Sequence, residues 1–169
     1  MRTVVVYESM FGNTELVARA VADSLASVRG AVEVINVDDA GRVDEADLLI
    51  VGGPTHAYGM TRPGTRQEAQ RQATDGVRST TGIREWLETL GTAPAGAAAA
   101  VFDTRLGKPR WLTGSAAKGV AKRLRQRGYQ LVAPPESFIV EGTAPGKLRE
   151  GELARAREWA GALAVRTSP

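Results

Sequence analysis

Val4-Val5-Val6-Tyr7-Glu8-Ser9-Met10-Phe11-Gly12-Asn13-Thr14 decides the fold of this 169-residue chain. Val4 to Tyr7 is a short β-branched run, apolar on both faces, as a buried parallel strand requires. Glu8–Asn13 then reads as a turn. From Thr14 to about Val28 the apolar residues Val17, Val21, Leu25 and Val28 recur every three or four positions, which predicts one helix stripe. A strand that turns directly into a helix leaves backbone N–H groups pointing out of the helix start, an arrangement suited to anions. Ser9, Asn13 and Thr14 add short polar side chains, and Gly12 lets a ligand approach the backbone closely. The plainer reading of Ser9 or Asn13 is a helix N-cap.

Outward from this unit the strand–helix alternation continues. Ala31–Val37 is a second strand whose Glu33 suits a sheet edge. Leu48–Val51 is a third, fully apolar and stopped by Gly52-Gly53-Pro54. Pro54 to Gly82 reads as one long irregular stretch, a length that in a compact domain points to function or disorder. Ile83–Leu90 is a short helix with Ile83, Trp86, Leu87 and Leu90 on one face. Ala97–Phe102 is the fourth strand. Ser115–Arg127 is a helix with Ala116, Val120, Ala121 and Leu124 inward. Leu131–Val140 is a fifth strand, interrupted at Pro134-Pro135, and Glu152–Ala164 is the closing helix. Trp86 and Trp159 fall on apolar helix faces and are expected in the core. Buried strands alternating with helices predict an α/β fold, an open parallel sheet with helices on both faces. With no linker or repeat, residues 1–169 read as one domain.

Composition narrows the function classes. Cysteine is absent, which excludes disulfides, iron–sulfur clusters and thiol chemistry. His56 is the sole histidine, so no dedicated transition-metal site is expected. The net charge of +3 is too small to indicate a nucleic-acid binder. The apolar runs are too short for a membrane span and no signal peptide opens the chain, so a cytoplasmic location is expected.

Residues Val5 to Thr14, continuing to Ala18 and Val21, resemble the flavodoxin signature along its whole length. The order of elements over 1–165 is similar too. The resemblance implies a flavodoxin-like three-layer sandwich, with a five-stranded parallel sheet in the order 2-1-3-4-5. It also implies FMN as cofactor, its phosphate held by Ser9, Met10, Phe11, Gly12, Asn13 and Thr14. Met10 and Phe11 are bulkier than the Thr and Gly types usual in the family. In flavodoxins the loops after strands three and four hold the flavin ring, here Pro54, Thr55, His56, Tyr58 and Gly59, then Asp103, Thr104, Arg105, Gly107 and Trp111. Tyr58 and Trp111 are candidates to stack on the ring, and Gly59 to permit peptide rotation beside it. The family's usual Trp is absent from the first of these loops. Plainer readings make Tyr58 a surface aromatic and Trp111 a helix cap. His56 is open between an exposed loop residue, a ring-edge donor and a proton source.

Other phosphate motifs do not fit. No Gly-x-Gly-x-x-Gly follows strand one, and Gly142–Leu148 is too short for a P-loop and has Leu148 where Ser or Thr must stand. The acidic pair of a receiver domain is missing as well, since Glu8 stands alone.

Thr104 to Gln130 carries eight basic residues and no acid. Most of the helical ones read as a solvated face. Arg105, Lys108 and Arg110 fall in the loop placed beside the flavin, a departure from the acidic surfaces of typical flavodoxins. The leading functional reading is an FMN electron carrier with a redox partner protein. Its alternatives are an FMN oxidoreductase acting on a quinone or porphyrin-type substrate, with NAD(P)H as a small-molecule partner, and a module that keeps the fold without flavin.

Overall fold

A computed structural model describes residues 2–41, 43 and 45–167. Its centre is β1 (Thr3–Tyr7), in which every residue is buried. β1 pairs in parallel with β2 (Val32–Asn36) on one side and with β3 (Leu48–His56) on the other. β3 then pairs with β5 (Ala98–Leu106), and β5 with two short strands, β6 (Gln130–Leu131) and β7 (Glu136–Glu141). With β6 and β7 counted as the two halves of one interrupted strand, the parallel order is the expected 2-1-3-4-5. The break falls across Pro134-Pro135, where ladder hydrogen bonds cannot be donated. Two short antiparallel strands were not foreseen: β4 (Gly59–Met60), folded back on the end of β3, and β8 (Lys147–Leu148), folded back on β7.

Both sheet faces are covered, which is why the strands read as unbroken apolar runs. On one face Val5, Ile50, Ala100 and Phe102 pack under α1 (Asn13–Arg29) and α6 (Glu152–Arg166). On the other, Val4, Val6, Leu49 and Val101 pack under α3 (Ile83–Thr89) and α5 (Ala116–Gln126). Each fully buried Leu or Ile contributes roughly 1.5–3 kcal/mol. Gly52 has a local reason to be glycine. A Cβ there would lie 2.1 Å from the Phe102 ring, so the aromatic side chain occupies the space a side chain on β3 would need. Phe102 in turn meets Phe138 and Trp159 edge-to-face, with centroids 5.9 and 6.1 Å away.

Several expectations are corrected. β3 does not stop at Gly52 but runs on to His56, because Gly53 and Pro54 keep pairing with Asp103 and Thr104 of β5. Beyond Gly52 its β1 side is an edge, where a proline is tolerated. β5 likewise extends past Phe102 to Leu106, so Asp103, Thr104 and Arg105 are strand residues rather than loop residues. The stretch 54–82 is not irregular throughout. It holds the end of β3, β4 and α2 (Pro63–Gln72), whose only buried residues are Arg66 and Ala69. Such a helix has almost no apolar stripe to read, and Pro63 at its first turn is its one start signal. Val28, assigned to the α1 stripe, is 69% exposed. Trp86 is buried as expected, whereas Trp159 is half-buried at the core margin.

Candidate functional site

The loop after β1 is built from its own polar atoms. The Gly12 N–H donates to Ser9 Oγ at 3.0 Å, and the Ser9 N–H donates to Ser79 Oγ at 3.0 Å. Ser79 donates onward to Asn36 Oδ1, while the Arg78 N–H donates to the Met10 carbonyl at 3.0 Å. Residues 78–79 thus form a strap across the loop. Gly12 has φ +96°, a left-handed backbone that a side chain would strain, and it starts α1 with no side-chain cap. The capping reading of Ser9 and Asn13 is therefore not what the helix start uses, and its first N–H groups keep the exposed positive end of the helix dipole. A Cβ on Gly12 would lie 3.8 Å from Arg78 Nε, which brings a cation beside the loop that its own sequence lacks. Arg78 enters through the strap, and nothing in the local sequence of the loop signals it.

This loop floors a cavity of about 340 Å³. Ser9, Met10, Phe11, Asn13 and Thr14 line it from β1 and α1, and Pro54, Thr55 and His56 from the end of β3. Thr104 and Arg105 close it from β5. Two walls come from elements the sequence reading did not assign to the site. One is α2, through Thr65, Glu68, Ala69 and Gln72. The other is the turn between β7 and β8, through Ala144, Pro145 and Gly146. Asn13 fastens this second wall by donating from Nδ2 to the Gly146 carbonyl at 3.3 Å. Across the floor the Thr14 and Thr104 hydroxyls share a hydrogen bond of 2.8 Å, so the start of α1 and the end of β5 meet at the cavity.

The remaining sequence-chosen residues stand elsewhere. Asp103 is fully buried and serves α5, its Oδ2 accepting from Ser115 Oγ at 2.6 Å and from the Ala117 N–H at 3.0 Å. Tyr58 and Trp111 do not line the cavity and are 71% and 79% exposed. Trp111 lies in a one-turn helix, α4 (Arg110–Thr113). Gly59 pairs with His56 in the β3–β4 hairpin, and Gly107 packs near Arg149 and Ile139. In the hairpin tip Ala57 and Tyr58 both have positive φ, +43° and +75°. Two such residues make a type I′ turn, normally built from Asn and Gly. Gly114, after α4, sits against this tip, since a Cβ on it would be 2.1 Å from the Tyr58 carbonyl oxygen.

Charge and burial set the protonation states. His56 is held below its ordinary pKa chiefly by burial, then by the positive charge of Arg66, while a backbone hydrogen bond to Thr65 opposes the shift. It is therefore neutral at pH 7. Glu8, directly before the loop, is buried, and desolvation raises its pKa. Its carboxylate accepts from Thr61 Oγ1 at 2.5 Å and from the Ile83 N–H at 2.8 Å. Arg66, itself paired with Glu85 at 3.1 Å, donates to the same Thr61 hydroxyl at 2.9 Å. Arg105 is not a free cation beside the cavity. Its guanidinium donates to the Lys108 carbonyl at 2.7 Å and so shapes its own loop, while its buried Nε has no partner.

The flavin mononucleotide implied by the resemblance fits these residues. The floor has a helix start without a side-chain cap, three short polar side chains and no acid, which suits a phosphate dianion. Met10, Phe11, Pro54, Leu106 and Val140 supply apolar wall, and the volume is in the range of small-molecule sites. The partnerless Arg105 Nε is a donor at the β5 wall.

Comparisons agree with this reading of the fold. The flavodoxin family model matches residues 5–82. Flavodoxin 1 of Bacillus cereus is 16% identical over the whole of both chains, with a TM-score of 0.69. A flavodoxin from the domain Archaea is 21% identical over 98% of each chain, with a TM-score of 0.67. Rubredoxin:oxygen oxidoreductase of Desulfovibrio gigas is 19% identical over 97% of this chain and 35% of its own, with a TM-score of 0.63. The sequence matches no curated protein. Among the described residues no helix is long and apolar enough to cross a membrane.

Proposed function

We propose that this flavodoxin-like protein binds FMN in the cavity floored by Ser9–Thr14 and carries electrons between partner proteins of the cytoplasm. The observation that carries the reading is the uncapped start of α1, opening on a cavity with hydroxyl and amide side chains and no carboxylate in its floor. Bound there, FMN supplies reversible one- and two-electron chemistry that no side chain of the protein has. The protein's part is to bind and orient. The α1 N–H groups with Ser9, Asn13 and Thr14 hold the phosphate, and Arg78 adds positive charge beside it. Met10 and Phe11 exclude water from the floor. Neutral His56 offers either a donor or an acceptor nitrogen at the β3 wall without adding charge.

Calorimetric titration of FMN and riboflavin tests the assignment. Each hydrogen bond to the charged phosphate is worth about 1.5–3 kcal/mol. Riboflavin is therefore expected to bind at least tenfold more weakly, roughly 1.4 kcal/mol being tenfold. Equal affinities overturn the phosphate site, and no binding of either overturns the flavin reading. Thr14→Val should weaken FMN but not riboflavin.

A further inference from the structure

On the other side of the β3–β4 hairpin lies a second recess, about 450 Å³, that shares only Ala57 with the first. Five cations line it: Arg62 after β4, Arg84 from α3, Arg110 from α4, and Lys118 and Arg123 from α5. No acid lines it. Asp103, bonded to the lining residue Ser115, is buried behind it and already committed to the start of α5. None of the five takes part in an ion pair among the described residues, whereas Arg2, Arg19, Arg66, Arg71, Arg149 and Arg155 all do.

We infer that this recess is a binding site for a small phosphorylated anion carrying at least two phosphates, a free diphosphate or a nucleoside diphosphate. Like charges gathered from four elements into a concavity repel one another, and a bound polyanion removes that cost. Part of the site is already arranged. Arg84 is half-buried and its guanidinium is fixed by the Met60 and Thr61 carbonyls, both at 3.3 Å. Arg110 is fixed by Ser137 Oγ at 3.1 Å. Among the described residues Arg62, Lys118 and Arg123 find no side-chain hydrogen-bond partner, which leaves them free to close on a ligand. The α5 backbone does not contribute, because its first N–H groups are taken by Thr55, Asp103 and Ser115. An acidic protein is the less fitting occupant. Arg84 and Arg123 are half-buried, so a carboxylate on a flat surface meets only the rim. A single phosphate engages too few of the cations to balance them.

The site does not depend on flavin binding, and its test is separable from it. Inorganic pyrophosphate is titrated calorimetrically at about 0.1 M salt, where charges beyond a Debye length of ~10 Å are screened. The titration is run on the protein with and without saturating FMN. Saturable one-to-one binding is expected in both states, tighter than binding of orthophosphate. The double variant Arg62→Gln/Lys118→Gln should lose about tenfold or more in affinity. Lys122→Gln/Arg125→Gln removes the same charge from α5 outside the recess and should change affinity less than about twofold. Circular dichroism confirms that both variants fold. Absence of saturable binding overturns the site. So does an equal loss in both variants, which signifies diffuse attraction, or displacement by FMN, which places pyrophosphate on the Ser9–Thr14 loop. Equal affinity for orthophosphate overturns the diphosphate class, and tighter binding of an oligoglutamate peptide than of pyrophosphate makes the recess a protein-docking surface. If FMN itself fails to bind, the contrast between the two variants still decides.

Discussion

The loop at Ser9–Thr14 and the hairpin tip at Ala57–Tyr58 both border the main cavity region, yet they are built on opposite terms. In the loop, the one left-handed residue is Gly12, the Ser9 and Gly12 N–H groups and the Met10 carbonyl are paired, and residues 78–79 strap it down. At the tip, the two left-handed residues are Ala and Tyr, one with its side chain mostly in solvent. The loop is relaxed and fixed. The tip carries backbone strain of about 1–3 kcal/mol per residue, held by the surrounding fold. A binding floor gains from rigidity, because the ligand then meets donors already in place. The strained turn stands between the two cavities and is held by its contact with Gly114 and by the return of β4.

The tip hangs from β3 and the loop from β1, which pairs with β3 up to Gly52, so the largest expected effect breaks them together. In Gly52→Ala the new methyl would meet the Phe102 ring at 2.1 Å. The ring is fully buried against Phe138 and Trp159, so it cannot step aside cheaply. A destabilisation of about 3 kcal/mol is expected, the upper part of the range for overpacked cores. Urea unfolding followed by tryptophan fluorescence measures it. A loss below about 1 kcal/mol means that β3 and β5 separate more freely than this packing implies.

The second expectation acts on the tip alone, with the opposite sign. Ala57→Asn/Tyr58→Gly installs residues that adopt positive φ readily. Little packing is lost, since the Tyr58 side chain is largely exposed. Stability should rise by about 1–2 kcal/mol, the relieved strain minus the extra unfolded-state entropy of glycine. The corresponding change in the loop, Gly12→Asn, should not stabilise, because that backbone is already unstrained. Thermal unfolding of the three proteins makes the comparison, and a tip variant no more stable than wild type removes the asymmetry.

How much of this was legible follows the same division. The loop and its flanking strand and helix are local, so hydrophobic period and turn residues show them directly. The parallel order came through the family resemblance, and the break at Pro134-Pro135 through proline's missing N–H. The tip was invisible because Ala and Tyr are not turn formers; only tertiary contact with Gly114 and the antiparallel return of β4 hold them there. α2 escaped notice because its contacts are made by Arg66 and a single alanine, not by an apolar stripe. The basic stretch 104–130 is visible in the sequence, where Arg105, Lys108 and Arg110 read as the group beside the flavin. Arg110 lines the second recess together with Lys118 and Arg123 of the same stretch, whereas Arg105 braces its own loop, and Arg62 and Arg84 join from elsewhere in the chain, a juxtaposition no linear reading can supply.

The smallest expected effect concerns Glu8, the buried link between the two regions. It ends β1 just before the loop and, through Thr61 and Ile83, fastens the chain beyond the hairpin to the start of α3. Burial raises its pKa, and the hydrogen bonds from Thr61 and Ile83 and the charge of Arg66 only partly offset that. A carboxyl whose folded pKa lies above its unfolded value favours the fold most when protonated. Its contribution is complete below the ordinary carboxylate range and is lost as pH rises through the raised folded pKa. One such group gives a slope of at most about 1.4 kcal/mol per pH unit within that window. Glu8→Gln removes the titration and keeps an acceptor for the Ile83 N–H, while the Thr61 hydroxyl can turn to accept from the new amide. Unfolding free energies of both proteins, measured from about pH 4 to about pH 8, isolate the effect as their difference. Wild type should lose stability relative to Glu8→Gln as pH rises through the window, and the two curves should run parallel above it. A flat difference means that Glu8 titrates alike in the folded and unfolded chains. A difference of opposite sign means that Thr61, Ile83 and Arg66 outweigh the desolvation, and the link between loop and hairpin is then an ionised one.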